Sequence, residues 1–306
     1  MIEIDETSDI KKNIGLQLGP LYYQFLAYDE WGVDVLERIS LHLTCRNIQG
    51  KPDRIIHLTR KLENYPDGKT KAPFPVRLWQ HLSVQQRLTD WQQHSSRLDT
   101  VWFTTQSVHT FWKAEAEPTI GPVRFHLPWG LIIDDIINRG GGLVHGGLAS
   151  FNESGLLFLA PPGGGKSTTL STAPVSWQVF SDDAALIWPG DNKEWHASAL
   201  PAWGSIINPE MEWSYPLMNL ACCCRLKGLM LLEKASGIQL QPTSPVDIVA
   251  NLYRSLNEYP AAIMGSRKQW EPLFRMAAQM TRDLSGWTLS LPRHGDVWPL
   301  LIKEAV

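Results

Sequence analysis

The sequence predicts a mixed α/β fold of the α+β kind in two parts. A strand-rich N-terminal domain covers residues 1–127, and strands alternate with helices over residues 128–306. Three observations predict it. In the first part, aromatic and β-branched residues gather in short runs between turn formers. In the second, apolar residues recur at helical spacing in more than one place. Between those places, an apolar run leads straight into a glycine-rich loop.

In the first part, residues 16–27 and 101–113 read as strands. Tyr65-Pro66-Asp67-Gly68-Lys69 is a turn, with Pro setting one dihedral and Gly supplying the positive one. A helix is expected over 84–93. His42, His57, His81, His94 and His109 stand apart from one another and read as structural or surface residues. No catalytic constellation shows in this part, which leaves substrate or partner recognition as its expected role.

The second part opens with Trp129, Ile132, Ile133, Ile136 and Ile137, which fall on one helical stripe and are closed by Gly140-Gly141-Gly142. Asp134 and Asp135 lie off that stripe and read as its solvated face. Residues 143–151 and 156–159 are apolar runs around Asn152-Glu153-Ser154-Gly155, the pattern of a β-hairpin. With the turn there, Phe151 faces Leu156, and counting back sets His145 opposite Pro162. Further on, 227–232 reads as a buried strand. Ser244-Pro245-Val246-Asp247 opens a helix with a cap, a proline at N1 and an acid at N3. Leu273, Met276, Ala277, Met280 and Leu284 form a helical stripe over 272–284. Residues 287–291 alternate as a strand, and a last helix is expected over 297–305.

Composition excludes some classes. A chain of 306 residues can bury a large core, and at 43% hydrophobic with a net charge of −3 it has no basic excess to neutralise a nucleic acid. No apolar run approaches a membrane span. The start, Met1-Ile2-Glu3-Ile4-Asp5-Glu6, is acidic and lacks the pattern of a secretory signal, so a cytoplasmic protein is expected. Cys222-Cys223-Cys224 are adjacent, which suits neither a shared zinc nor a disulfide, and they read as small hydrophobes in a buried strand; Cys45 stands alone. The fourteen tryptophans follow no repeat and read mainly as packing, with a minority able to line a groove.

The chemistry lies in Ala160-Pro161-Pro162-Gly163-Gly164-Gly165-Lys166-Ser167-Thr168, which follows a strand and opens a helix. Glycines let backbone N–H groups converge on phosphate oxygens. Lys166 would bridge the β- and γ-phosphates of ATP, Ser167 would hold Mg²⁺, and the helix start adds partial positive charge. The lysine is expected to face solvent until nucleotide arrives. Ala160 stands where the phosphate-loop pattern has its first glycine. A glycine-rich surface turn is the alternative, disfavoured by Gly-Lys-Ser-Thr after a strand.

An acidic group is needed near the γ-phosphate, and Trp177-Gln178-Val179-Phe180-Ser181-Asp182-Asp183 is an apolar strand ending in two carboxylates. One can orient Mg²⁺ and the other can accept a proton from an attacking hydroxyl. A polar turn is the bland alternative. His145 is the third element, with an ordinary strand histidine as its alternative.

These residues carry a resemblance. Leu143-Val144-His145, a hairpin, the loop and then Asp182-Asp183 resemble the core of the HPr kinase/phosphorylase and phosphoenolpyruvate carboxykinase superfamily, over roughly the second half of the chain. The resemblance implies a P-loop domain of that fold. It makes Asp182 similar to the carboxylate that activates a seryl hydroxyl, Asp183 to a metal-side carboxylate and His145 to the active-site histidine. Thr168 departs from the glutamate of HPr kinases, and Pro201-Ala202-Trp203-Gly204-Ser205 lacks their arginine. HPr kinase-like proteins with a divergent N-terminal half also occur in gene cassettes for modified peptides, the SynChlorMet cassette protein ScmC type among them, and this sequence is similar to that kind.

The reading that follows is a Mg·ATP-dependent kinase acting on a hydroxyl of a peptide or small protein. Three alternatives stand beside it: a small-molecule kinase, for instance of an amino acid; a carboxykinase-like enzyme; and a non-catalytic, nucleotide-gated binding module. In the resembling kinases a neighbouring subunit often completes acceptor recognition, which allows a homo-oligomer. Acceptor contact is expected over 197–215, where Trp203, Trp213 and Tyr215 stand without arginine or lysine.

Overall fold

The run over 16–27 folds as a hairpin and not as one strand. Gly19, at φ 57°, turns the chain with Pro20, so that Lys12–Leu18 (β1) pairs antiparallel with Leu21–Ala27 (β2). The fold comes from a computed structural model, which describes residues 10–42, 50–58, 92–95, 99–103, 109–114, 129–199, 222–264, 270–292 and 295–305. The chain divides into two units, Met1–Leu131 and Ile132–Val306.

In the first unit β1 and β2 are joined by Arg54–Leu58 (β3), Gln92–Ser95 (β4), Asp99–Phe103 (β5) and His109–Ala114 (β6). They form a sheet of order β1-β2-β3-β6-β5-β4. The second aromatic run, 101–113, is therefore also a pair, β5 and β6, running antiparallel. The helix expected over 84–93 is overturned at its end. Gln92 and Gln93 belong to β4 and pair with β5, so sheet pairing overrides the helical propensity of glutamine. The rest of that helix and the turn at 65–69 lie outside the described residues.

A helix absent from the sequence reading, Glu30–His42 (α1), lies in the crossover between the parallel strands β2 and β3. Asp29 caps it, its Oδ1 accepting the Gly32 N–H at 2.8 Å. Leu36 and Ile39 of this helix are buried, with Leu16, Phe25 and Ile56 of the sheet. His57 is buried as well, its Nδ1 2.7 Å from the Tyr28 hydroxyl, which makes it a structural histidine. The side chains of His42, His81, His94 and His109, and Cys45, lie outside the described residues.

The stripe at the division forms Trp129–Asn138 (α2). Ile132, Ile133, Ile136 and Ile137 are buried, and Asp134 and Asp135 are half-buried. Gly140, at φ 77°, ends it, and Gly141 N–H donates to the Ile136 carbonyl at 3.0 Å.

Among its described residues, the second unit has nine strands: Gly142–His145 (β7), Gly147–Phe151 (β8), Ser154–Leu159 (β9), Gln178–Ser181 (β10), Ala184–Pro189 (β11), Trp195–Ala199 (β12), Cys223–Lys234 (β13), Gln239–Pro242 (β14) and Ser285–Leu291 (β15). The main path is β10-β8-β9-β13-β12-β11-β7, with β15 on the second half of β13 and β14 on β15. Strands β9, β13 and β15 are mutually parallel, and the other pairings are antiparallel. Gly228 marks the point where β13 changes partner from β12 to β15; a Cβ there would fall 2.3 Å from the Trp287 ring.

Two expectations about the hairpin are corrected. Asn152 (φ 49°) and Glu153 (φ 65°) both take the left-handed region and make a two-residue turn, so Phe151 pairs with Ser154 rather than Leu156. The run 143–151 is also not one strand. It breaks at Gly146, whose N–H donates to the Asp183 carbonyl at 2.9 Å, and β7 leaves to pair with β11. His145 therefore sits opposite Ala184 and not Pro162. Since β7 ends the path while β8, one residue away in the chain, is second from its other end, the sheet curls to bring the two ends close.

The cysteine run is corrected too. Of the run only Cys224 is buried; Cys223, its neighbour in β13, takes the other face, and Cys222, just before the strand, is exposed. Burial pushes the Cys224 thiol up to about 12.

Among the described residues, the helices Lys166–Ser171 (α3), Pro245–Met264 (α4), Trp270–Asp283 (α5) and Trp298–Ala305 (α6) pack with this sheet. Ser244 caps α4 as its sequence predicts, accepting Asp247 N–H at 3.2 Å. Helix α5 buries Leu273, Met276, Ala277 and Met280. Helix α6 docks through Trp298, which lies 4.8 Å from the Trp177 ring, while its indole N–H donates to Thr172 at 3.3 Å. This core of Trp298, Trp177, Phe158, Leu170 and Met230 takes in Leu170 of α3, and Ala160, at the stem of the glycine-rich loop, packs against it. No helix among the described residues is long and apolar enough to cross a membrane.

Candidate functional site

Strand β9 delivers the loop and α3 receives it. Gly163 (φ 71°) and Gly165 (φ 103°) take backbone conformations that side chains disfavour, and a Cβ on either would meet nothing within 4 Å. Gly164 is the opposite case, because a Cβ there would come within 2.6 Å of the Ala160 side chain. The loop is thus pressed against its own stem on one side and open on the other. Ala160 and Gly164 are half-buried, whereas Pro161, Pro162, Gly163, Ser167 and Thr168 are exposed.

Lys166 departs from expectation. It is 7% exposed and does not face solvent; its ammonium donates to the Ala160 carbonyl at 2.8 Å, inside the curl of the loop. Burial pulls its pKa below the usual lysine range, opposed by the charges of Glu258, Asp183 and Asp182.

Those acids come from two places. Asp182 and Asp183 form the bend between β10 and β11, both half-buried. Ser181 holds the bend, its hydroxyl accepting the N–H groups of Asp183 at 3.3 Å and Ala184 at 3.0 Å. His145, at the end of β7, reaches across the pairing to the same bend, with its Nε2 3.2 Å from Asp183 Oδ1. Its Nδ1 meets Glu258 Oε2, from α4. The Asp183 bond, aided by Glu258, raises the imidazole pKa above its usual value, against burial and the neighbouring Lys166.

The sequence-derived residues Lys166, Asp182, Asp183 and His145 therefore share one electrostatic cluster, with Ser167 and Thr168 beside Lys166 in the chain. Sequence reasoning missed Glu258. It lies 113 residues beyond His145 and is a single acid three positions past the buried Ser255. Its only local signal is a place at the margin of the buried stripe of α4. Trp203, Gly204, Trp213 and Tyr215 lie outside the described residues. Among the described residues, no three His, Cys, Asp or Glu side chains converge as a metal cage would. A divalent ion here would need oxygens from a ligand as well as from Ser167 and Asp183.

Beside the loop lies a cavity of about 540 Å³, lined by Leu159, Ala160 and residues 161–164, by the end of β13 at residues 231–234, and by Asn251 of α4.

Comparison with known families decides the assignment. The family model described as SynChlorMet cassette protein ScmC matches residues 123–305. The chain belongs to the ScmC family. The matched segment holds the glycine-rich loop, the acidic bend, His145 and Glu258, so the whole cluster is inside the ScmC region. A comparison with curated proteins found no match.

Proposed function

We propose that this ScmC-family chain is a Mg·ATP-dependent kinase that transfers phosphate to a hydroxyl of a peptide or small protein, on a P-loop domain of the HPr kinase/carboxykinase kind. The observation that carries the reading is that Lys166, buried inside an open glycine loop, lies within the electrostatic reach of Asp182 and Asp183 on a neighbouring bend. A lone glycine-rich turn would have no reason to bury a lysine beside three acids. The family's description as a cassette protein supports a place in making a modified peptide.

The loop's open side fits a chain of phosphates, since Gly163 and Gly165 leave space where side chains would stand. Ser167 and Asp183 would hold Mg²⁺, which when bound offsets the negative charge of the phosphates. Lys166 exchanges the Ala160 carbonyl for phosphate oxygens. Asp182 accepts the proton of the acceptor hydroxyl as its oxygen bonds to the γ-phosphorus, while the bond from that phosphorus to the β–γ bridging oxygen breaks and ADP leaves. His145, fixed between Asp183 and Glu258, orients the metal-side carboxylate.

A nucleotide-gated binding module is the second reading, favoured by Thr168 in place of glutamate and by the absence of arginine from Pro201-Ala202-Trp203-Gly204-Ser205. Incubation with γ-labelled ATP, Mg²⁺ and peptides encoded beside this gene separates the two. Label on a peptide hydroxyl supports the kinase. Nucleotide binding with no label on any peptide, amino acid or other small molecule supports the module.

A further inference from the structure

The cavity beside the loop has a position that the phosphate chemistry leaves unused. Strands β9 and β13 are parallel neighbours, so their carboxyl ends open on the same side, and the cavity lies between the loop that follows β9 and the last residues of β13. The carboxyl ends of parallel strands are where open α/β sheets hold ligands. The acidic bend lies elsewhere, after β10, which is separated from β13 by β8 and β9 in the sheet. Helix α4 spans both places: Asn251 lines the cavity and Glu258 meets His145. Seven residues separate them, so they share a face about two turns, roughly 10 Å, apart. A triphosphate along the loop bridges such an interval, with its reacting end at the cluster and its other end at the cavity.

The lining suits what a triphosphate carries at that end. Leu159, Leu231 and Leu232 supply apolar wall, while Glu233, Lys234 and Asn251 supply a polar edge. Its volume of about 540 Å³ is that of a small-molecule pocket, about 300–1,000 Å³. Asn251 is held in place, its amide nitrogen donating to the Asp247 carbonyl at 2.9 Å. We infer that this cavity is the subsite for the nucleoside moiety of the phosphoryl donor, with α4 and the end of β13 as its two walls. The inference rests on the kinase reading only in requiring that the loop hold phosphates.

The test compares Mg·ATP with Mg·tripolyphosphate, which keeps the phosphates and lacks the nucleoside. Calorimetry on the full chain should show ATP binding at least tenfold tighter. Two substitutions fill the cavity from opposite walls, Asn251→Phe from α4 and Glu233→Trp from β13. Each should lower ATP affinity at least tenfold, towards that of tripolyphosphate, and leave tripolyphosphate binding unchanged, which also shows that the variant is folded. Equal affinity of the wild type for the two probes overturns the subsite, as does ATP affinity that survives both substitutions. Wild-type protein that binds neither probe overturns the phosphate loop itself, and the subsite with it.

Discussion

The Nε2 atom of His145 stands 3.2 Å from Oδ1 of Asp183, joining the end of one strand to the acidic bend before another. Backbone pairing sets this up, because β7 aligns His145 with Ala184 and Gly146 N–H holds the Asp183 carbonyl at 2.9 Å. Glu258 then closes the imidazole from the other side, so three elements of the second unit meet on one ring.

That meeting predicts a pH-dependent stability. A histidine whose pKa is raised in the folded state binds its proton more tightly there than in the unfolded chain. Its stabilisation is complete below the unfolded value of about 6.5 and fades as pH rises through the folded value. In metal-free buffer, Glu258→Ala should cost on the order of 1–2 kcal/mol at pH 6, a charged hydrogen bond discounted for partial exposure. The gap from wild type should narrow at pH 9. Urea unfolding at both pH values checks this; a gap that widens at high pH contradicts it.

Trp298 predicts a link between the last helix and the loop. It is buried against Trp177 and Phe158, the latter in the strand that leads into the loop, and bonds to Thr172 just after α3. Trp298→Ala should destabilise the second unit by about 3–5 kcal/mol, the usual cost of truncating a buried aromatic. Denaturant unfolding followed by far-UV circular dichroism measures it, and a loss below 1 kcal/mol would show that α6 is not part of the core.

The proposed division of labour in the bend gives a kinetic prediction. Asp182→Asn removes a base and leaves the loop intact, so kcat should fall by roughly 10²–10⁴ with little change in the KM for ATP. Transfer at the wild-type rate would remove Asp182 from the role of general base.

Local features of the second unit were legible in the sequence. The isoleucine stripe of α2, the Ser244 cap and the α5 stripe each depend on neighbours within a turn or two. The glycine-rich loop after a strand and the acidic bend were legible as local features because each is a run of consecutive residues. The strand break at Gly146 was not, since its cause is a hydrogen bond to Asp183, far along the chain. The hairpin register was missed because Asn152 and Glu153 make a left-handed turn without glycine. Glu258 was beyond reach for the same reason as the break, its partner lying on another element. The buried state of Lys166 depends on the curl of the loop around Ala160, which spacing alone does not convey.

Lys166, buried inside its loop, is proposed to meet phosphate there, and one titration tests this. Lys166→Met keeps the length and apolar contacts of the side chain while removing the charge, whose burial is itself a cost, so the folded state should be as stable as wild type or more so. Isothermal calorimetry with Mg·ATP should show affinity lowered roughly ten- to a hundredfold, corresponding to the loss of a charged hydrogen bond of about 1.5–3 kcal/mol. A folded Lys166→Met protein that binds Mg·ATP as tightly as wild type would remove Lys166 from the phosphate site.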